Sequence, residues 1–142
     1  MALVLRLTSP SDSMWFGISI KRWVENHPEY NNYFDIIDSS TISVKVDRLE
    51  IGRQKNNKVV LDNKLVFSGV SRKHALIVRE GGKWFLVDQR SKYGTWVRIK
   101  GEIVDVRTLP EPISLKQGYE IILGKLQNKS LEKPITLLVV AV

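Results

Sequence analysis

From residue 41 onward, short strand-like runs recur along the chain with turn signals between them. They are Thr41–Val46, Leu49–Gly52, Val59–Leu61, His74–Arg79, Lys83–Asp88, Thr95–Arg98, Glu102–Val106, Ile113–Leu115, Tyr119–Leu123 and Ile135–Val142. Many short strands separated by turns predict an all-β sandwich. Between two of the runs lies Glu80-Gly81-Gly82-Lys83, and a Gly-Gly pair supplies the positive φ angles of a tight hairpin turn. In the first arm of that hairpin Ala75, Ile77 and Arg79 alternate against Leu76 and Val78. In the second, Trp84, Leu86 and Asp88 alternate against Phe85 and Val87. Both faces are largely apolar, which places the hairpin inside the sandwich.

The first forty residues read differently. Met1-Ala2-Leu3-Val4-Leu5-Arg6-Leu7 lacks the basic leader and long apolar core of a secretory signal and reads as a first strand at about residues 2–8. Residues 9–40 read as an insertion between that strand and the main sandwich at 41–142. Ser9-Pro10-Ser11-Asp12-Ser13 is a turn cluster, and Ile18 to Asn26 predicts a short helix ended before Pro28. Trp15, Trp23, Tyr30, Tyr33 and Phe34 make the stretch too aromatic for a flexible linker, so part of it is expected to pack on the core. The whole is one domain, 1–142. It closes directly after an apolar strand, which suggests a piece of a longer protein.

Composition narrows the function classes. At 142 residues, 43% apolar and 26% charged, the chain has the make-up of a globular domain. It has no cysteine, hence no disulfide framework, thiolate nucleophile or cysteine-based metal site, and an intracellular compartment is the natural expectation. No apolar stretch approaches the roughly 20 residues of a membrane helix, so no membrane partner is expected. The net charge of +7 is unevenly spread, at −2 over residues 1–47 and +9 over residues 48–142. Such a basic surface suits an acidic partner: nucleic acid, anionic lipid or a phosphorylated protein.

Three short elements sharpen that choice. Gly52-Arg53, then Ser71-Arg72-Lys73-His74 eighteen residues later, then Ser91-Lys92-Tyr93-Gly94-Thr95 each sit where a predicted strand meets a loop. All three can therefore gather on one rim of the sandwich, where Arg and Ser donors suit a bound phosphate. The Arg53 guanidinium offers a planar fork of N–H donors to two phosphate oxygens, and Gly52 lets the backbone turn to bring it there. Ser71 offers its hydroxyl, with its own N–H or that of Arg72 as a further donor. Arg72, Lys73 and Lys92 raise the local positive potential. Gly94 reads as a positive-φ turn position. His74 has only His27 as a fellow histidine and no cysteine nearby, so neither a metal site nor a catalytic constellation can be assembled around it. Farther along, Arg98-Ile99-Lys100-Gly101 marks another turn, with Arg98 and Lys100 read as solvated.

In this order and spacing the three elements resemble the forkhead-associated (FHA) domain, over about residues 41–142 plus the first strand. The resemblance implies a β-sandwich of about eleven strands that binds phosphothreonine peptides through loops at one end. It implies phosphate contact by Ser71 and a structural role for His74 in holding the binding loops together. Most FHA domains carry Asn immediately before the glycine of the third element, where its amide grips the peptide backbone. Tyr93 stands there instead, and a phenol cannot supply an acceptor and two donors in one place. Lys-Tyr-Gly-Thr is similar to the turn of the nibrin-type domains of DNA-repair adaptors, and nuclear location follows from the family's tendency.

The expected function is a phosphothreonine-peptide-binding module for phosphorylation-dependent protein association, in DNA-damage or cell-cycle signalling, without cofactor, metal or enzymatic activity. Arg53, Ser71, Arg72, Lys73, Lys92 and Tyr93 are its candidate binding residues, and Gly52, His74 and Gly94 its structural motif. Tyr93 motivates an alternative, a degenerate fold used as a scaffold or dimerisation module. The basic balance motivates another, direct nucleic-acid binding.

Overall fold

The computed structural model describes residues 2–9, 31–38, 40–61, 69–124 and 135–142. Among these residues twelve strands form: β1 (Val4–Ser9), β2 (Phe34–Asp38), β3 (Thr41–Val44), β4 (Arg48–Gly52), β5 (Val59–Val60), β6 (Ala75–Glu80), β7 (Lys83–Asp88), β8 (Thr95–Ile99), β9 (Glu102–Asp105), β10 (Ile113–Ser114), β11 (Glu120–Leu123) and β12 (Ile135–Ala141). One sheet has seven strands in the order β2-β3-β1-β12-β11-β8-β9, the other five in the order β10-β7-β6-β4-β5. The expected all-β sandwich is present. The helix expected at Ile18 to Asn26 lies outside the described residues.

The period-2 pattern explains the layering. Leu5 and Leu7, Ile42 and Val44, Val97, Ile121 and Leu123, and Leu137 and Val139 turn one face of the larger sheet inward. Leu49 and Ile51, Ala75 and Ile77, and Trp84 and Leu86 answer from the smaller one. Ile77, Leu49 and Leu137 are completely buried, each worth about 1.5–3 kcal/mol as transferred apolar surface. β6 and β7 are interior strands of the smaller sheet, and their outward residues Val78, Phe85 and Val87 are only half-buried. The Gly81-Gly82 turn between them has φ of 57° and 77°, as the hairpin requires.

Two features depart from the sequence reading. Phe34–Asp38, read as part of the insertion, is a strand of the larger sheet: β2 pairs antiparallel with β3, and Phe34, 2% exposed, joins the core. Lys100-Gly101 closes the β8–β9 hairpin as a two-residue turn with both φ positive, at 49° and 84°, and Arg98 is paired with Glu120 at 3.0 Å rather than simply solvated.

Alternation of strand direction sets where the motifs fall. The last residue of β4, the first of β6, the last of β7, the first of β8, the last of β11 and the first of β12 all lie at one end of the sandwich. Gly52-Arg53, Ser71–His74 and Ser91–Thr95 belong to these junctions. Long-range pairing of β4, β6 and β7 thus gathers at one end loops far apart in sequence.

Candidate phosphate-binding rim

His74 is the knot of the rim. Its backbone continues the smaller sheet in both directions, the N–H donating to the Ile51 carbonyl at 3.0 Å and the carbonyl accepting from the Gln89 N–H at 2.9 Å. Its side chain is fully buried. Nδ1 accepts from the Ser71 N–H at 3.0 Å, so the ring proton sits on Nε2, which donates to the Gly94 carbonyl at 2.7 Å. Both nitrogens are spent on structure, and one imidazole binds the second motif to the third. Burial depresses its pKa below the ordinary 6.5, and the Arg107 charge adds to this; the hydrogen bond to Gly94 and the charge of Asp88 work the other way.

The first loop is stitched to the second by backbone. Arg53 N–H donates to the Ser71 carbonyl at 2.9 Å, and Gln54 N–H to the Arg72 carbonyl at 3.1 Å. Asn57, 2% exposed, completes the seam: its amide donates to the Gln54 and Arg72 carbonyls, each at 2.8 Å, and its oxygen accepts from the Lys73 ammonium at 3.2 Å. Asn56 accepts from the same ammonium at 2.9 Å. Asn57 was missed by sequence reasoning, because an Asn in a polar loop reads as a turn former and nothing local announces a buried clasp.

The reason for Gly52 is also different from the expected one. Its φ is not positive. A Cβ there would stand 2.3 Å from the Arg72 carbonyl oxygen and 2.8 Å from the Asn57 amide, so glycine is required by close approach of the second loop, not by a bend. Gly94 behaves as expected, with φ of 104°. A side chain there would also press on the Arg107 guanidinium at 3.0 Å.

The third loop is built on Asp88. Its carboxylate accepts from the Ser91 N–H at 3.1 Å, from the Ser91 hydroxyl, and from the Thr95 hydroxyl at 2.6 Å, while Ser91 Oγ accepts from Gly94 N–H at 3.0 Å. Ser91 and Thr95 are both buried. Behind the turn the Trp96 indole donates to the Gly124 carbonyl at 2.8 Å, Gly124 N–H donates to the Gly94 carbonyl at 3.0 Å, and Arg107 stacks on the Trp96 ring at 5.4 Å. The supports behind the turn were also missed, since Trp96, Arg107 and Gly124 meet only through tertiary pairing.

The candidate binding residues are positioned unequally by this framework. Ser71 Oγ accepts from Lys92 N–H at 2.9 Å, which leaves its hydroxyl proton for an external acceptor. The Ser71 N–H, considered above as a donor to phosphate, is taken by His74 and is not available. Arg53 is half-buried and Arg72 exposed, and among the described residues neither guanidinium has a hydrogen-bond or ion-pair partner. The Lys73 ammonium is turned to Asn56 and Asn57 and serves the seam between loops. Lys92 is exposed, with its ammonium 5.3 Å from the centre of the half-buried Tyr93 ring. Chemically the arrangement suits an anion, with cationic and hydroxyl donors on hydrogen-bonded loops, and among the described residues no nucleophile stands beside a free base. Among the described residues no group of His, Asp and Glu is placed to hold a metal ion, and no helix is long and apolar enough to cross a membrane. Trp84 is 3% exposed and offers no open platform for base stacking.

Comparison with known proteins agrees with the architecture. No curated protein matches the sequence at a significant level. Among solved structures, the N-terminal FHA domain of S. cerevisiae Rad53p in complex with a phosphothreonine peptide is similar at TM-score 0.57 and 20% identity, covering 100% of this chain and 94% of that one. The FHA domain of an Arabidopsis thaliana hypothetical protein matches at TM-score 0.58 and 19% identity, over 99% and 86% of the two chains. A third, from a study of phosphothreonine-dependent FHA domain interactions, matches at 0.58 and 20%, over 100% and 98%. At these identities the likeness speaks for the fold. The sequence model of the FHA domain matches residues 49–124, from β4 through Gly124, and so takes in all three motifs and more than half of the sequence. The chain belongs to the FHA domain family.

Proposed function

We propose that this domain is a non-enzymatic reader of phosphothreonine in partner proteins, and that the loops around His74 form its phosphate site. The observation that carries the reading is the division of labour on the rim. Every group that holds the loops together is spent, whereas the Arg53 and Arg72 guanidiniums and the Ser71 hydroxyl proton are left over. A phosphothreonine carries about −1.5 to −2 charges and three acceptor oxygens, which match one guanidinium fork, one hydroxyl and nearby positive charge. The similar Rad53p domain, solved with a phosphothreonine peptide, supports the same assignment.

In this reading Arg53 is the principal phosphate ligand, Ser71 the second, and Arg72 and Lys92 flank them. Lys73 acts indirectly, by holding the first loop against the second. Tyr93 packs beside the peptide where a family Asn would hydrogen-bond it, so affinity depends more heavily on the phosphate. A nuclear, DNA-damage setting is the cellular side of the proposal, supported by the Lys92-Tyr93-Gly94-Thr95 turn and its likeness to repair adaptors.

Fluorescence anisotropy of a labelled phosphothreonine peptide pool tests the assignment of Ser71. Ser71→Ala removes one charge-assisted hydrogen bond and should weaken binding by about 1.5–3 kcal/mol. Binding unchanged by that substitution would remove Ser71 from the site.

A further inference from the structure

β6 and β7 carry apolar residues on both of their faces. Ile77 and Leu86 turn inward and are fully buried, while Leu76, Val78, Phe85 and Val87 turn outward. Across the smaller sheet the outward residues stand in two rows, Arg48, Val78 and Phe85 in one and Glu50, Leu76 and Val87 in the next. Leu76 is 7% exposed, but Val78, Phe85 and Val87 are only half-buried, and none of these four belongs to the core between the sheets. Strands that are apolar on both faces are those with a layer packed on each side. Here the larger sheet covers the inner face, and the outer one keeps an apolar patch open to solvent.

Charge frames the patch unevenly. Arg48 and Lys83 are exposed, and among the described residues neither has a hydrogen-bond or ion-pair partner. Glu80, directly across the hairpin from Lys83, is exposed too. Glu50 is neutralised by Lys58, whose ammonium lies 2.7 and 3.0 Å from its two oxygens. Beside the patch, Arg48, Glu50, Lys73 and Gln89 line a shallow groove of about 460 Å³. Arg48, Lys73 and Lys83 therefore stand around this face against Glu80 alone. Among the described residues the Gln89 side-chain oxygen is buried with no hydrogen-bond partner, and native structures leave few such acceptors without a donor.

We propose that the outer face of the smaller sheet is a second, phosphate-independent docking surface, and that its occupant is an amphipathic helix of a partner protein whose apolar stripe is flanked by Asp and Glu. The backbone of β6 and β7 is spent within the sheet, so an occupant meets only side chains and must satisfy its own N–H and C=O groups, as a helix does. Spacing agrees: the two rows lie about 6.7 Å apart along the strands, and helix positions i and i+4 rise about 6 Å. Charge selects an acidic partner. It also disfavours a second copy, which would set Arg48, Lys73 and Lys83 against themselves on chains of net charge +7. The face uses neither Arg53, Arg72 nor Ser71, so the inference stands apart from the phosphothreonine reading, and one domain can hold two partners at once.

The probe is a displayed library of helix-patterned peptides, apolar at i, i+3, i+4 and i+7 and degenerate among Glu, Ser and Lys elsewhere, selected on the whole chain. Enriched peptides should carry Glu beside the apolar stripe. In fluorescence anisotropy Phe85→Ser should weaken them about thirtyfold, as expected for loss of an aromatic anchor, with urea unfolding to show that the variant is folded. Arg48→Glu, a change at an exposed position, should turn the flank preference from Glu to Lys in a second selection. Arg53→Ala should bind the same peptides as the wild type, and a phosphothreonine peptide pool should not displace them. No enrichment over a library of scrambled pattern, or enriched peptides indifferent to both Phe85→Ser and Arg48→Glu, would overturn the surface. Displacement by the phosphothreonine pool would assign the peptides to the rim and overturn it as well. Sedimentation of the free chain as a dimer that Phe85→Ser returns to monomer would make the occupant a second copy and overturn the helix.

Discussion

Glycine at position 52 and histidine at position 74 answer to different physics, and each leads to a measurement. At position 52 the second loop's backbone lies where a side chain would begin, and backbone cannot rotate away as a flexible side chain can. Gly52→Ala should therefore cost about 2–3 kcal/mol, read as a lower urea midpoint with unchanged slope. A cost near zero would mean that the Arg72 carbonyl is free to retreat. His74 is neutral and uses both nitrogens, and protonating Nδ1 would turn the acceptor for Ser71 N–H into a donor. Because its folded-state pKa lies below the unfolded 6.5, the unfolded chain takes up the proton first. Its stabilising contribution is complete above about pH 6.5 and is lost as pH falls toward the folded value. Urea unfolding of the free protein at pH 7.5 and 5.5 should show a larger loss for wild type than for His74→Gln. Equal losses would contradict the lowered pKa of the buried His74. At this scale the sequence showed which residues mattered but not always why. Gly52, Ser71, His74 and Gly94 stood in recognisable spacing, but the clash behind Gly52 comes from the Arg72 carbonyl far along the chain, and the use of Ser71 N–H depends on how the buried His74 ring is turned.

The strands of the main sandwich were visible from alternation, and the hairpins from their glycines. β2 was not. Phe34-Asp35-Ile36-Ile37-Asp38 follows a polar, turn-rich stretch, and Ile37, 57% exposed on an edge strand, breaks the alternation by which Phe34 and Ile36 face inward. The Lys100-Gly101 turn shows a different limit. Arg98 and Lys100 advertised charge, whereas the constraint is the left-handed backbone of Lys100, which Asn tolerates better than Lys. Lys100→Asn should raise stability by about 0.5–1 kcal/mol without affecting any binding function, because the β8–β9 turn lies at the other end of these strands from the rim. Thermal unfolding of the two proteins settles the sign, and a lower midpoint for the variant would contradict the turn assignment.

Over the whole molecule, the two sheets supply rigidity and the loops at one end supply chemistry. The core residues of β4, β6 and β7 fix three junctions in place, and one buried imidazole ties two of the resulting loops together. The sequence made the fold class and the gathering of the candidate motifs at one end legible because spacing and strand ends are local properties. The supports behind the third loop were illegible because Trp96, Arg107 and Gly124 come together only when β8 pairs with β11 and the chain after β9 folds back. The central claim is that this end of the domain reads phosphate through Arg53. Titration calorimetry of a phosphothreonine peptide pool and its unphosphorylated twin against wild type and Arg53→Ala addresses it most directly. Binding of only the phosphorylated pool, weakened by about 3 kcal/mol or more in the variant and decreasing with added salt, is the predicted result. Equal binding of both pools, or binding that survives Arg53→Ala unchanged, would contradict the account.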